Sequence, residues 1–198
     1  GTERGQGNLV ETNPPPRGIV INALSDETTV SEGMSSGDYE AIAKILPDRS
    51  NEKAVVASGG ISRQQLGSQA HGRTLIISDG WRISAVPLEA DRHKAVCVAV
   101  SQRAGAQMTG CFHQFGDAHL QYTVGTSDGD ANAIGIVDGD VDRVTVTTTL
   151  GRKFDAQVKN GAFMWVGTVA TEGTARRLEA TLNDGTVVSE EIPEFNRP

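Results

Sequence analysis

Five aspartates crowd one glycine-rich stretch and are the side chains best placed, by type and spacing, to bind a metal ion. They are Asp128, Asp130, Asp138, Asp140 and Asp142. Clustered carboxylates supply the hard oxygen ligands that Ca²⁺ requires, and residues 128–132 begin like an EF-hand loop. The match then fails, because Ala133 stands where the sharp-turn glycine is needed and Gly139 stands where the bidentate glutamate belongs. Since Asp-Gly pairs also form turns, we expect turns here and keep Ca²⁺ as the weaker alternative.

Other catalytic or metal-binding patterns are missing from the sequence. A Zn²⁺ site needs three or four convergent nitrogen or sulfur ligands, and no HExxH or CxxC spacing is present. We therefore expect surface histidines rather than a metal site at His71, His93, His113 and His119. There is also no Gly-x-Ser-x-Gly nucleophile elbow and no lysine-containing phosphate loop. The sequence predicts a protein that is not an enzyme and has no cofactor, with a hydrolase of unrecognised site as an alternative.

Two cysteines lie in apolar stretches on either side of a glycine-containing turn. Folding a hairpin about Ala104 places Cys97 opposite Cys111, and cross-strand partners at about 4.5–5.5 Å between Cβ atoms are within reach of a disulfide. Closing a loop of about 15 residues stabilises a fold by about 3 kcal/mol in the chain-entropy model. The alternative is two buried free thiols, which behave as small hydrophobic side chains. We predict the disulfide, and with it a protein that works outside the reducing cytosol.

Composition narrows the classes of partner. The 198-residue chain has a formal net charge of −7 and no Lys/Arg cluster, so we predict no binding to nucleic acid or anionic membrane. No run of about 18 apolar residues is present, so we predict no membrane insertion. Because the sequence starts at Gly1 without Met, we expect that a signal or anchor segment has been removed. Trp81 and Trp165 lie in alternating apolar runs and are predicted to be core residues rather than a sugar-stacking surface.

The first part of the chain reads as a linker followed by mixed elements. Residues 1–18 are rich in Pro and Gly, which favours a stiff polyproline II spacer. The apolar run Ile19–Leu24 is predicted to be an edge strand, or alternatively a segment that pairs with a neighbouring copy. Asp38 is predicted to cap a short helix that ends at Leu46, before Pro47. From residue 73 to 115 the pattern predicts a four-stranded meander, with a loop from Pro87 to His93.

The second part reads as a small β-sandwich. Alternating strands separated by Leu150-Gly151, Asn160-Gly161 and Asp184-Gly185 turns are typical of two packed sheets. The predicted fold class is mainly β: an antiparallel meander plus a C-terminal β-sandwich-like (Ig-like) module, with one or two short N-terminal helices. The predicted division is a linker at 1–18, an α+β region with the disulfide-bridged hairpin at 19–124, the sandwich module at 125–192 and a tail at 193–198. The alternative is that the sandwich module packs with the preceding region as one domain.

Three phrases resemble a loose group of uncharacterised extracytoplasmic, β-rich proteins of high-GC Gram-positive bacteria. They are Gly135–Val146, which is similar to a G-x-V-P-D-G-V-x-x-V-x-V phrase, Val158–Phe163, and Cys97 with Gly110-Cys111. The resemblance covers residues 73–190 and departs from the pattern at Val137, where the group has Pro, and at Asp140, which is inserted. These are strand and turn motifs, so the resemblance implies a fold and export, and no catalytic residue.

The sequence as a whole predicts a secreted or membrane-anchored, non-enzymatic binding or interaction domain of the cell envelope. Its partner is a protein or envelope component that the sequence does not name. The first alternative is a structural subunit of a surface assembly that self-associates through Ile19–Leu24 by strand exchange. The second is the hydrolase with an unrecognised site.

Overall fold

The computed structural model describes residues 33–89, 94–113 and 115–194. By their contacts, the described residues up to 113 belong to one compact unit and those from 115 onward to another. The predicted linker at 1–18, the segment Ile19–Leu24 and residues 195–198 of the tail lie outside the described residues. We refer to the two parts as the first unit and the second unit.

The described part of the first unit begins with two short helices: α1, Ser36–Ile45, and α2, Glu52–Ala57. The prediction that Asp38 caps α1 is wrong. The N-cap is Ser35, whose side-chain oxygen accepts a hydrogen bond from the Asp38 N–H at 3.2 Å. The Asp38 carboxylate does not cap the helix and instead points into the protein, where it is buried.

Two 3-10 turns, Arg63–Gln65 and Gln69–His71, follow these helices. Among the described residues, no helix is both long enough and apolar enough to cross a membrane. The sheets carry most of the ordered structure, so the predicted mainly β class is confirmed.

A four-stranded antiparallel sheet forms the body of the first unit, as predicted for residues 73–115. Its strands lie in chain order, β1-β2-β3-β4, with the bounds Arg73–Ser78, Trp81–Glu89, Lys94–Gln102 and Gly105–Phe112. The turn between β1 and β2 is Asp79-Gly80, with φ angles of 54° and 80°. Positive φ at both central residues is what a tight two-residue hairpin requires, so the Asp-Gly signal at this turn is confirmed.

Strand β2 continues through Pro87 to Glu89, which corrects the predicted loop from Pro87 to His93. Proline lacks the N–H of a ladder donor and is tolerated at sheet edges. The pairing of β1 with β2 ends at Ala85, so the outer side of Pro87 no longer faces a full strand. There its carbonyl oxygen accepts a hydrogen bond from the Gly67 N–H at 3.1 Å. Residues 90–93 are outside the described chain.

The predicted disulfide between Cys97 and Cys111 is present. The two residues face each other across the β3–β4 ladder, and their Cα atoms are 4.0 Å apart. Both are 0% exposed and belong to a hydrophobic cluster that includes Ile42 of α1 and Val86 of β2. The bond therefore joins neighbouring strands beneath α1, inside the core of the first unit.

Eight strands and one helical turn build the second unit. The strands are β5, Leu120–Ser127; β6, Asp130–Val137; β7, Val141–Thr148; β8, Lys153–Asp155; β9, Gln157–Lys159; β10, Ala162–Thr168; β11, Ala175–Leu182; and β12, Val187–Glu191. The turn α3, Val169–Glu172, connects β10 to β11. Two antiparallel sheets result, with the orders β5-β6-β10-β9 and β12-β11-β7-β8.

This strand order is that of an immunoglobulin-type sandwich. Lettered from β5, the sheets read A-B-E-D and G-F-C-C′, and the chain changes sheet at Ala156, between β8 and β9. The predicted Ig-like module is thus seen. The predicted boundary at 124/125, however, falls inside β5, which pairs with β6 from Leu120 to Ser127, and the contacts divide the chain near residue 115 instead.

Apolar side chains from both sheets fill the space between them. Val146 and Leu178 come from one sheet, and Phe163 and Trp165 come from the other. Trp165 is 5% exposed, and its ring centroid lies 5.6 Å from that of Phe154. Trp81 in the first unit is also 5% exposed. Both tryptophans are therefore core residues, as predicted, and neither offers a face to a sugar ring.

Candidate functional site

Three connecting segments meet at one end of the sandwich in the second unit. They are residues 116–119, which lead into β5, residues 138–140 between β6 and β7, and residues 183–186 between β11 and β12. We call these segments the loop end. In immunoglobulin-type sandwiches the B–C and F–G loops lie at this same end, and variable domains carry recognition loops there. The loop end also holds His119, Asp138 and Asp140, whose side chains lie close together.

Strand register brings the loop end together. Leu120 pairs with Val137, so the residues just outside that pair, 119 and 138, are neighbours. Leu182 pairs with Val141, which places residue 183 beside residue 140. Each contact thus follows from antiparallel pairing beyond the last rung of a ladder, although the residues are far apart in sequence.

His119 lies between two carboxylates at the loop end. Its Nδ1 atom is 3.3 Å from Oδ2 of Asp138 and 3.2 Å from Oδ1 of Asp140. The histidine side chain is 18% exposed, so it is largely covered but still reachable from solvent. One nitrogen and two carboxylate oxygens, all within 4.8 Å of one another, make an acidic pocket suited to a cation.

Backbone contacts hold the two aspartates in place. The Asp138 N–H donates to the carbonyl oxygen of His119 at 2.9 Å, and the Gly139 N–H donates to Asp138 Oδ1 at 2.7 Å. The Asn183 N–H donates to the carbonyl oxygen of Asp140 at 2.8 Å. When the Asn183 amide nitrogen faces this loop, it also donates to that carbonyl and to the carboxylate of Asp142. Asp142 is therefore engaged beside the trio of His119, Asp138 and Asp140 and is not a member of it.

The five aspartates considered for Ca²⁺ are not brought to one site. Asp128 and Asp130 belong to the β5–β6 turn, at the opposite end of β6 from Asp138. A strand of eight residues spans about 25 Å, so the two ends cannot share one ion. Asp128 has a φ of 50° and Gly129 a φ of 84°, which is the turn geometry that accounts for this Asp-Gly pair.

The sequence predicts surface histidines and does not predict that His119 lies beside Asp138 and Asp140. His71 lies in a 3-10 turn, His113 is buried just after β4, and His93 is outside the described residues. His119 differs because the register of β5 on β6 carries it to the carboxylates. The signal that could have found it is a histidine directly before a strand whose hairpin partner ends at an aspartate.

A second polar cluster surrounds Asp38 in the first unit, and sequence reasoning did not find it either. Asp38 Oδ2 accepts hydrogen bonds from Arg82 Nε at 2.9 Å and Ser84 Oγ at 3.1 Å. Asp38 Oδ1 accepts from Arg82 Nη2 at 3.0 Å and Ser101 Oγ at 2.6 Å. Helix α1 is thus joined to β2 and β3 by one buried carboxylate with four donors.

These donors decide the charge state of Asp38. Burial acts to raise the pKa of the carboxyl, but the hydrogen bonds from Arg82 and Ser101, the charge of Arg82 and the bond from Ser84 outweigh it, so the pKa is lowered. An ionised carboxylate with both oxygens occupied is poorly suited to act as a general acid or base. We interpret the cluster as the anchor of α1 and not as a catalytic site.

A groove of about 490 Å³ runs between α1 and β4, the edge strand of the first sheet. It is lined by Gly37, Glu40, Ala41, Lys44, Ile45, Ala106, Gln107, Met108 and Thr109. The lining holds one acid, one base and otherwise uncharged side chains, with neither histidine nor cysteine.

Comparison with known proteins gives no functional assignment. No protein-family model, no curated protein and no solved structure matches the chain.

Proposed function

We propose that this protein is a non-enzymatic binding domain that works in an oxidising, extracytoplasmic compartment as part of the cell envelope. The observation that carries the proposal is the disulfide between Cys97 and Cys111. Disulfides form and persist in secreted and envelope proteins and are rare in reduced compartments. A negatively charged chain, at −7, fits this role better than one in nucleic-acid binding.

Burial favours a structural over a redox role for the disulfide. Thiol exchange requires access of an attacking thiolate to a sulfur atom, and both cysteines are 0% exposed beneath α1. The bond joins β4 to β3, and β3 also carries part of the Asp38 anchor, since Ser101 is on the same strand as Cys97. A rigid first unit, held by one covalent and one ionic tie, suits a domain whose function depends on its shape.

The loop end supports binding as the activity. It gathers three segments at the end of the sandwich where immunoglobulin-type folds place recognition loops. Its charged side chains are acidic, Asp138, Asp140 and Asp184 among them, so the partner we propose presents positive charge or a bound cation to this surface.

The test is a binding measurement on the loop end with a charge-matched control. Fluorescently labelled protein is added to envelopes isolated from the producing cells, and saturable binding is measured with unlabelled protein as competitor. Asp184→Lys reverses an exposed charge at the loop end, and Asp130→Lys makes the same change at the opposite end of the sandwich. We expect Asp184→Lys to lose most of the binding and Asp130→Lys to keep it.

Two outcomes contradict the proposal. If the wild-type protein shows no saturable binding, or if both variants bind as the wild type does, the loop end is not a recognition surface. Esterase or glycosidase activity that is abolished by His119→Asn would instead support the hydrolase alternative.

A further inference from the structure

We infer that Nδ1 of His119 and one carboxylate oxygen from each of Asp138 and Asp140 form a site for a divalent transition-metal ion of the Zn²⁺ class. The inference stands on the geometry of these three side chains. It depends on neither the compartment nor the binding role proposed above.

The two distances from His119 to the carboxylates match the spacing of ligands around one small ion. Zn²⁺ binds histidine nitrogen and carboxylate oxygen at about 2.0–2.2 Å, so neighbouring ligands of a tetrahedral site are about 3.4 Å apart. Nδ1 of His119 is 3.3 Å from the Asp138 oxygen and 3.2 Å from the Asp140 oxygen. All three ligand atoms lie within 4.8 Å of one another, so they can contact one ion together.

A histidine–aspartate hydrogen bond accounts for only one of the two contacts. Nδ1 of His119 lies within hydrogen-bonding distance of Asp140 Oδ1, at 3.2 Å, and it is also 3.3 Å from Asp138 Oδ2. A single Nδ1–H cannot point along a straight line at two oxygens. A cation between the three groups contacts all of them at once and neutralises two carboxylates that otherwise repel each other.

The presence of a nitrogen ligand favours a transition metal such as Zn²⁺ over Ca²⁺. Imidazole nitrogen suits Zn²⁺ and neighbouring transition metals, whereas Ca²⁺ takes six to eight ligands that are all oxygen. The pocket contributes one nitrogen and two carboxylates, which excludes it as a Ca²⁺ site of the usual kind. Three protein ligands leave a tetrahedral ion one open position, for water or for a donor atom of a partner.

The ligands are already oriented for this role. Asp138 Oδ1 is occupied by the Gly139 N–H, so it is Oδ2 that faces His119. The backbone of Asp140 is held by Asn183 across the loop end. Hydrogen bonds that fix the ligating groups raise metal affinity because less freedom is lost on binding.

The experiment uses the full chain after treatment with a chelator, and measures Zn²⁺ binding by calorimetry and Co²⁺ binding by its visible absorption. We expect one equivalent of Zn²⁺ and a Co²⁺ spectrum with the intensity of a tetrahedral site. His119→Asn and Asp140→Asn should each weaken binding at least about tenfold. Asparagine is chosen at position 119 because the residue there has a φ of 61°, which asparagine tolerates.

Asp142→Asn is the matched control, since it removes a neighbouring carboxylate that is not in the trio, and it should bind Zn²⁺ like the wild type. Circular dichroism confirms that each variant is folded. The inference is overturned if the wild type gives no Zn²⁺ heat and no Co²⁺ spectrum. It is also overturned if His119→Asn binds as tightly as the wild type, or if Ca²⁺ displaces Zn²⁺ at equal concentration.

Discussion

Replacing Asp38 with asparagine tests how the first unit is held together. The carboxylate accepts four hydrogen bonds, two at each oxygen, from Arg82, Ser84 and Ser101. In Asp38→Asn one oxygen becomes an NH₂ group, so two donors face a donor instead of an acceptor. The attraction between the guanidinium of Arg82 and the Asp38 carboxylate is also lost. We expect the variant to fold but to be clearly less stable.

The size of the loss follows from these contacts. Hydrogen bonds to charged groups contribute about 1.5–3 kcal/mol each, and removing one member of a buried ion pair costs about 3–5 kcal/mol. The Arg82 side chain is 32% exposed, so water recovers part of that cost. We therefore expect Asp38→Asn to lower the free energy of unfolding by about 2–3 kcal/mol near neutral pH. For a chain of this size that is a fall in melting temperature of about 4–12 °C.

The pH dependence gives the sharper signature. The pKa of Asp38 is lower in the folded protein than in the unfolded chain. Its contribution is therefore fully present above the unfolded-state pKa and is lost as the pH falls through the lower, folded-state pKa. The difference in stability between wild type and variant should accordingly shrink in strong acid, because the protonated wild type also lacks the charge.

Denaturant unfolding followed by circular dichroism at neutral pH and at about pH 3 measures both effects. The matched control is Glu40→Gln, which removes the same charge from an exposed position on the same helix. It should change stability much less than Asp38→Asn. Equal losses in the two variants, or a difference for Asp38→Asn that is the same at both pH values, would refute the reasoning.

Three further predictions concern the disulfide and two glycines. The disulfide of Cys97 and Cys111 should resist a soluble phosphine reductant in the native protein and be reduced only in denaturant, because both cysteines are 0% exposed. Thiol titration measures the reduction. Rapid reduction without denaturant would contradict the prediction. A Cβ atom at Gly135 would lie 2.7 Å from the Cα of Tyr122, so Gly135→Ala should lower stability by about 1–3 kcal/mol or more. Gly37 is the second residue of α1, and a Cβ atom there would meet nothing within 4 Å, so Gly37→Ala should raise stability by about 0.4–1 kcal/mol. Denaturant unfolding measures both glycine variants, and equal effects of the two changes would be contrary to the packing described.

Features set by short-range pattern could be predicted from the sequence. The hairpin that pairs Cys97 with Cys111 needs only a turn and an alternating register, and Asp79-Gly80 needs only the preference of these residues for positive φ. The burial of Trp165 follows from alternation in a strand of a two-layer fold. In each case the deciding interaction lies within a hairpin or a single strand.

Features that depend on which distant elements pack together could not be predicted. Asp38 has the sequence signature of a helix cap, and only the packing of α1 on β2 and β3 reveals it as a buried anchor. His119 and Asp140 are 21 positions apart, and their contact depends on the lengths of β5 and β6 and on the register between them. The chain crosses from one sheet to the other at Ala156, between β8 and β9. This crossing could not be predicted, because no turn or breaker residue marks it in the sequence.

The central claim is that the protein works in an oxidising, extracytoplasmic compartment. The most direct test is whether the two cysteines are disulfide-bonded or free in the producing cell. Cells are quenched in acid, the protein is denatured in the presence of an alkylating reagent, and its peptides are analysed by mass spectrometry without reduction. The account predicts that the peptides containing Cys97 and Cys111 are recovered joined and unalkylated. Recovery of both cysteines in alkylated form would contradict it, because a protein that keeps free thiols in its own cell does not function in an oxidising compartment.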